Sequence, residues 1–133
     1  MVDEIFRITP DKDRAEDLFK MAKKRLKFIK IVPSGMEYKI VEEYYEIIKE
    51  LITALMYIDG YKTLSHMKLI EYLQEHYDIP KEDIRLIDNL RKFRIGIVYY
   101  GKKIQKDFLI NYEEKIKKVI SILFDLVEKK LYL

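Results

Sequence analysis

One segment near the end of a predicted helix carries the residue types best suited to chemistry in this sequence. Three apolar residues and one arginine recur there at helical spacing and so share one face of the helix: Ile87, Leu90, Arg94 and Ile97. A guanidinium keeps its proton inside a protein, so an inward-facing Arg94 requires an anionic partner or a wet cavity. Tyr99 and Tyr100 follow one to two turns later and add two phenolic hydroxyls. An inward arginine beside hydroxyls is typical of a site that binds phosphate.

Arg94 also has a purely structural interpretation. It can pair with a carboxylate inside the subunit, for which Asp88, Asp59 and Glu50 are the candidates, or it can fix the register of two subunits in a dimer. The two tyrosines have the corresponding alternative of packing in a core or an interface, where tyrosine is common. Phosphate binding and structural pairing therefore stand as alternatives for this segment.

His66 is the second candidate for chemistry. It lies at the start of the third predicted helix, where the positive helix end favours a neutral imidazole that can act as a base. If the third and fourth helices are antiparallel, His66 comes close to Arg94 or Tyr99. The alternative for His66 is a capping or core histidine with a backbone partner.

Other common kinds of site are not indicated. The only other histidine, His76, lies ten residues away from His66, without the spacing of i and i+4 that binds zinc. We therefore expect no metal site and no cofactor. The sequence has no glycine-rich phosphate loop and no Ser or Cys nucleophile with a base. Four glutamates of the second predicted helix lack the Glu-x-x-His signature of di-iron bundles, and we interpret them as a solvated acidic face: Glu42, Glu43, Glu46 and Glu50.

Composition limits the class of protein. The 133 residues are 49% hydrophobic and 37% charged, which predicts one folded domain spanning residues 1–133. Cysteine is absent, so neither a disulfide nor a thiolate metal site can form. The first residues, which lack a basic and then apolar stretch, predict no secretion signal, and the longest uncharged stretch, residues 51–58, is too short to span a bilayer. We expect a cytoplasmic protein with no membrane contact. The heavy use of Lys, Glu and Ile also leans towards a thermophile.

The net charge of +3 is modest, but its distribution is uneven. One basic run, residues 20–30, is interpreted as a solvated helix face. The second run flanks the Arg94 segment, and its cations are candidates for binding RNA or phosphate: Arg91, Lys102 and Lys103, with Lys106 beyond them.

The periodicity predicts an all-α protein, a four- to five-helix up-and-down bundle. No strand is expected. The first helix begins at the Thr9-Pro10-Asp11 capping sequence and stops at residues 32–35, and the second spans about residues 36–58. The third helix is capped by Thr63 or Ser65 and ends near residues 77–79. The fourth spans residues 80–100 and stops at Gly101. The fifth runs from about Lys106 to near the C-terminus.

Four segments of the chain resemble the HEPN superfamily, and in particular its small stand-alone archaeal members. They are residues 59–66 (DGYKTLSH), 69–73 (LIEYL), 87–94 (IDNLRKFR) and 99–102 (YYGK). The resemblance implies a four- or five-helix bundle that commonly forms a homodimer. It also implies metal-independent ribonuclease chemistry, as in many members including toxins, and a minimal nucleotidyltransferase as partner or antitoxin.

The family's active motif is an Arg, then four to six residues, then a His. Arg94 matches the Arg, whereas the His position falls on Tyr99 or Tyr100. Tyrosine has an ordinary pKa of about 10 and is a poor base near neutral pH, although it can donate to phosphate. We therefore expect a degenerate motif in a module that binds RNA or a nucleotide. The alternatives are a metal-independent endoribonuclease that uses Arg94 with Tyr99, Tyr100 or His66, and a bundle whose motif only holds a dimer together.

Overall fold

A computed structural model describes residues 4–100 and 106–133 of the protein, with the side chains of residues 97–100 and 106 excepted. The elements in chain order are β1 (Ile5–Arg7), α1 (Lys12–Ile29), α2 (Glu37–Asp59), β2 (Tyr61–Thr63), α3 (His66–His76), α4 (Lys81–Tyr100) and α5 (Lys106–Tyr132). The expected helical bundle is confirmed. No helix of the described ranges is both long enough and apolar enough to cross a membrane.

Helix α2 occupies the centre of the bundle and packs against each of the other four helices. Its buried apolar residues surround it on nearly all sides: Val41, Tyr44, Tyr45, Ile47, Ile48, Leu51, Ile52, Ala54, Leu55 and Met56. Full burial of one Leu or Ile side chain stabilises a fold by about 1.5–3 kcal/mol. The apolar residues of the last turns of α2 lie deep in the core: Leu51, Ile52, Ala54, Leu55 and Met56.

Local capping sets where the helices begin and end. The Asp11 side chain accepts a hydrogen bond from the Arg14 backbone N–H at 3.0 Å, so Asp11 caps α1 in place of the Thr9 cap that we expected. Ser65 caps α3 by accepting from the Lys68 N–H at 3.2 Å, which selects one of the two predicted caps. Gly60 ends α2 in the left-handed conformation, with φ at 90°.

The two short strands correct the expectation of a strand-free chain. β1 and β2 pair antiparallel, with Ile5 opposite Thr63 and Arg7 opposite Tyr61. Each strand has only three residues, which is too few for an alternating pattern to be recognised in a sequence. The pairing joins the chain before α1 to the chain after α2.

A second correction concerns the helix directions, because the bundle is not strictly up-and-down. Tyr45 in the first half of α2 contacts His66 at the start of α3, whereas Asp59 at the end of α2 accepts from Tyr72 and Tyr77 at the end of α3. α3 therefore runs in the same direction as α2. The chain from Gly60 through β2 returns along α2 in an extended form, which explains how two consecutive helices can be parallel.

The directions of α1, α4 and α5 follow from their contacts and connections. α1 is antiparallel to α2, since the Asp11 N–H donates to the Tyr57 carbonyl at 2.9 Å. α4 is antiparallel to α3, because a short connection over residues 77–80 joins them. α5 is parallel to α2, since Tyr44 donates to Glu113 and Lys130 donates to Asp59.

Candidate functional site

Tyr45 is the centre of the site because residues of α3 and α4 contact its ring. The Tyr45 side chain is only 2% exposed. Its hydroxyl oxygen lies 2.9 Å from His66 Nδ1, and the two rings are stacked with centroids 5.7 Å apart. The guanidinium carbon of Arg94 lies 5.8 Å from the centroid of the same ring. His66 and Arg94 are thus brought together, as expected for antiparallel α3 and α4.

Arg94 has an anionic partner inside the subunit, which an inward cation requires. Arg94 Nε donates to Glu46 Oε1 at 3.0 Å, and Lys49 Nζ lies 2.7 Å from the other oxygen of the same carboxylate. The Arg94 side chain is 23% exposed and that of Glu46 is 17% exposed, so the pair is partly buried but reaches water. Two cations therefore share one carboxylate at a water-accessible position.

The three carboxylates that we considered as partners of Arg94 are bonded elsewhere. Asp88 forms ion pairs with Arg91 and Lys92. Asp59 pairs with Lys130, and Glu50 pairs with Arg25. Glu46 replaces them because it lies one turn before Glu50 on α2, on the side of that helix facing α4.

The environment of His66 favours its neutral form. Burial lowers the pKa of His66, and the positive charges of Lys49 and Arg94 lower it further, while Glu46 acts in the opposite direction. His66 is also the first residue of α3, where the positive end of the helix acts in the same sense. A neutral imidazole whose Nδ1 bonds to Tyr45 has one further nitrogen for another partner.

Arg91 adds a third cation to this group. Its Nε donates to Asp88 Oδ1 at 2.9 Å, and its charge acts on both His66 and Tyr45. We call Tyr45, His66, Arg94, Arg91, Lys49, Glu46 and Asp88 together the Tyr45 cluster. With His66 neutral, its three cations exceed its two carboxylates by one charge.

Several predicted site residues fall outside what the structure describes. Tyr99 and Tyr100 belong to the last turn of α4, but their side chains are not among those described. Lys102 and Lys103 lie outside the described residues altogether, and the side chain of Lys106 is likewise outside them. Their proposed contacts with phosphate stay predictions.

The solvated acidic face that we expected on α2 is wrong. Glu43 and Glu50 are buried, and both bind Arg25 of α1: its Nη1 lies 3.0 Å from Glu43 and its Nε lies 2.5 Å from Glu50. Burial raises the pKa of Glu50, and the hydrogen bond from Arg25 opposes that rise. The glutamates of α2 therefore neutralise cations of the neighbouring helices.

Sequence reasoning missed Tyr45, Glu46 and Lys49 as site residues. Tyr45 follows Tyr44 on α2, and both rings are buried. The repeat of glutamates on α2 was a usable signal, since partly buried cations on α1 and α4 required partners. In the described part of the chain, no group of three or more His, Asp or Glu side chains is arranged to hold a metal ion.

Comparison with known proteins assigns no family. No protein-family model, no curated protein and no solved structure matches the chain. The class that fold and site define is a helical bundle with a cationic cluster around a buried tyrosine and a half-buried histidine.

Proposed function

We propose that the protein is a module that binds phosphate groups of RNA or of a nucleotide at the Tyr45 cluster. The observation that carries the proposal is that Arg94 and Lys49 share the single, partly exposed carboxylate of Glu46. Because Glu46 neutralises only one of the two positive charges, a phosphate can add a second anion beside Arg94 and Lys49. Arg91 contributes further positive potential.

The resemblance to HEPN proteins supports the same class of ligand. Arg94 stands at the position of the motif Arg, and the motif His is replaced by Tyr99 or Tyr100. The proposal includes what that resemblance implies, namely a homodimer and a minimal nucleotidyltransferase as partner. It describes a binding module rather than an efficient nuclease.

One observation favours a second candidate, a metal-independent endoribonuclease. His66, kept neutral beside Arg94, is available to take the place of the missing motif His. In that reaction the imidazole accepts the proton of a 2′-hydroxyl, the 2′-oxygen forms a bond to phosphorus, and the bond to the 5′-oxygen breaks. The leaving 5′-oxygen takes a proton from water, and Arg94 stabilises the charge on the phosphate oxygens.

The test compares RNA affinity between variants of two cations. Fluorescence anisotropy with a labelled single-stranded RNA, in EDTA and at low salt, gives the affinity of the wild type, Arg94→Gln and Lys49→Gln. Lys129→Gln is the matched control, since Lys129 is an exposed cation of α5 paired with Asp125. We expect both cluster variants to bind more weakly and with a shallower salt dependence, because each phosphate contact contributes about one counterion to that slope.

Equal affinity of wild type and Arg94→Gln would contradict the proposal. Gel analysis of the same reactions separates the two candidates. A module leaves the RNA intact, whereas an endoribonuclease cleaves it in EDTA and loses that activity in both Arg94→Gln and His66→Gln.

A further inference from the structure

A groove lies between α4 and α5, on a different face of α4 from Arg94. Its volume is about 340 Å³. Side chains of both helices line it, and those that matter for binding are Arg85, Asn89, Tyr112, Lys115 and Lys118. None of them belongs to the Tyr45 cluster.

One end of the groove continues into an exposed cluster of aromatic rings. The Phe93 and Phe108 rings have centroids 4.6 Å apart, and Phe108 and Tyr112 have centroids 5.1 Å apart. Phe93 is 37% exposed and Tyr112 is 40% exposed, so two of the three rings present area to solvent. Exposed rings that support one another form a rigid surface on which a planar ligand can stack.

The cations of this groove are less neutralised than those of the Tyr45 cluster, each of which has a carboxylate partner. Arg85 and Lys118 form no ion pair within the described ranges. Lys115 Nζ lies 5.7 Å from the centroid of the Tyr112 ring, which places a charge directly beside the aromatic surface. By contrast, Arg25 and Arg94 are each paired with a carboxylate.

Two carboxylates, Glu82 and Asp83, also line the groove. Both belong to the first turn of α4, where the positive end of the helix stabilises them. The three cations exceed these two carboxylates by one charge, so the lining is cationic overall. Lys115 lies against the Tyr112 ring, where a ligand that stacks on that ring would extend.

From this arrangement we propose that the groove binds a nucleotide unit of single-stranded RNA. The base stacks on the exposed Tyr112 ring, the Asn89 amide bonds to the edge of the base, and Arg85, Lys115 and Lys118 contact the phosphates. A volume of about 340 Å³ is within the range of sites for small ligands. The RNA class rests on the proposed function, but the two sites share no side chain, so each can fail alone.

The first test measures the affinity for a labelled uridine-rich RNA of twelve nucleotides. We expect Tyr112→Leu to weaken binding at least about fivefold, since stacking on one aromatic ring contributes about 1–3 kcal/mol per base. Arg85→Gln weakens binding as well. Tyr132→Leu is the matched control, because Tyr132 is also an exposed tyrosine of α5 but bonds to Glu16 on the other side of the helix. Circular dichroism of each variant verifies folding.

The second test separates this groove from the Tyr45 cluster. RNA containing 5-bromouridine is photo-crosslinked to wild type and to Arg94→Gln, and the modified peptide is identified by mass spectrometry. We expect the crosslink within residues 108–118 in both proteins. Its persistence in Arg94→Gln alongside unchanged affinity would support the groove while contradicting the proposed function.

Three results would overturn the inference. The first is wild-type affinity in a folded Tyr112→Leu variant. The second is competition by free uridine monophosphate as effective as that by RNA at equal nucleotide concentration, which would assign the groove to free nucleotides. The third is a shift from dimer to monomer in sedimentation of Tyr112→Leu, which would make the ring cluster a contact between two copies of the chain.

Discussion

His66 Nδ1 lies 2.9 Å from the hydroxyl oxygen of Tyr45, and the two rings stack at 5.7 Å between centroids. This contact fixes the start of α3 against α2. Since Arg94 approaches the same Tyr45 ring from α4, the contact also fixes the imidazole within range of the guanidinium charge. The functional proposal depends on this meeting of three helices at one ring.

The first prediction concerns the protonation of His66. Burial and the charges of Lys49 and Arg94 lower the pKa of His66, so its imidazole titrates below the ordinary value of about 6.5. Arg94→Gln removes one repelling charge and raises the pKa of His66 relative to wild type. NMR titration of the imidazole carbon resonances measures both midpoints.

Lys129→Gln serves as the control for the His66 titration, because Lys129 pairs with Asp125 on the outer face of α5. It leaves the His66 midpoint unchanged. A wild-type midpoint at or above the ordinary histidine value of about 6.5 would contradict the described environment of His66.

The second prediction compares two glycines that share a left-handed conformation. Gly35 has φ at 94° and open space where a Cβ would lie, whereas a Cβ on Gly60 would lie 3.1 Å from the Ile8 carbonyl oxygen. Alanine at either position costs about 1–2 kcal/mol because L-residues disfavour that conformation. Gly60→Ala costs at least about 1 kcal/mol more, since backbone must move at the junction of β1 and β2.

Urea denaturation followed by circular dichroism gives the free energy of unfolding of both glycine variants. Equal losses for Gly35→Ala and Gly60→Ala would show that the approach of residue 8 to the end of α2 is looser than described.

The third prediction concerns the pairing of Arg25 with two buried glutamates. Arg25→Met leaves the buried Glu50 without a cation and the buried Glu43 with Lys39 alone, and we expect a loss of about 3 kcal/mol, at the low end for buried pairs because Arg25 is partly exposed. The matched control is Lys20→Met on the same helix, which removes an exposed pair with Glu16 and costs about 0.3–0.5 kcal/mol.

The loss of unfolding free energy in Arg25→Met is smaller at low pH than at high pH. Burial raises the pKa of Glu50, so the folded protein holds that proton more tightly than the unfolded chain does. The stabilisation that the protonated Glu50 carboxyl contributes is therefore fully present at low pH. It declines as the pH rises through the pKa of Glu50 in the folded protein. Since Arg25 opposes the rise, its removal costs less near pH ~5 than near pH ~7.5. Denaturation at the two pH values measures the difference, and a larger loss at the lower pH would contradict it.

The helices and the meeting of His66 with Arg94 were predictable from the sequence, because their signals are local. The predicted second helix, residues 36–58, differs from the observed Glu37–Asp59 by one residue at each end. Ser65 was one of two expected caps, and the turn before Pro80 made α3 and α4 antiparallel neighbours. Together these signals placed His66 and Arg94 at the same end of the bundle.

The partner of Arg94 and the direction of α3 were not predictable, because they depend on tertiary packing. Glu43, Glu46 and Glu50 are equivalent in sequence, and only the positions of α1 and α4 decide that Arg25 takes two of them and Arg94 the third. The parallel course of α3 depends on an extended return through β2, whose three residues carry no pattern of their own.

The fourth prediction tests whether Arg94 is available to an external phosphate or is committed to Glu46. Glu46→Gln removes the competing carboxylate but keeps the size of the side chain. If Arg94 and Lys49 bind phosphate, this variant binds single-stranded RNA more tightly than wild type, and Arg94→Gln binds it more weakly. If the pair is structural, both variants lower the melting temperature.

The most direct measurement of the central claim is the RNA affinity of Glu46→Gln relative to wild type, by anisotropy in EDTA at low salt. The account predicts a tighter complex whose affinity falls more steeply with added salt. An unchanged affinity together with a lowered melting temperature would show that Arg94 serves only the fold.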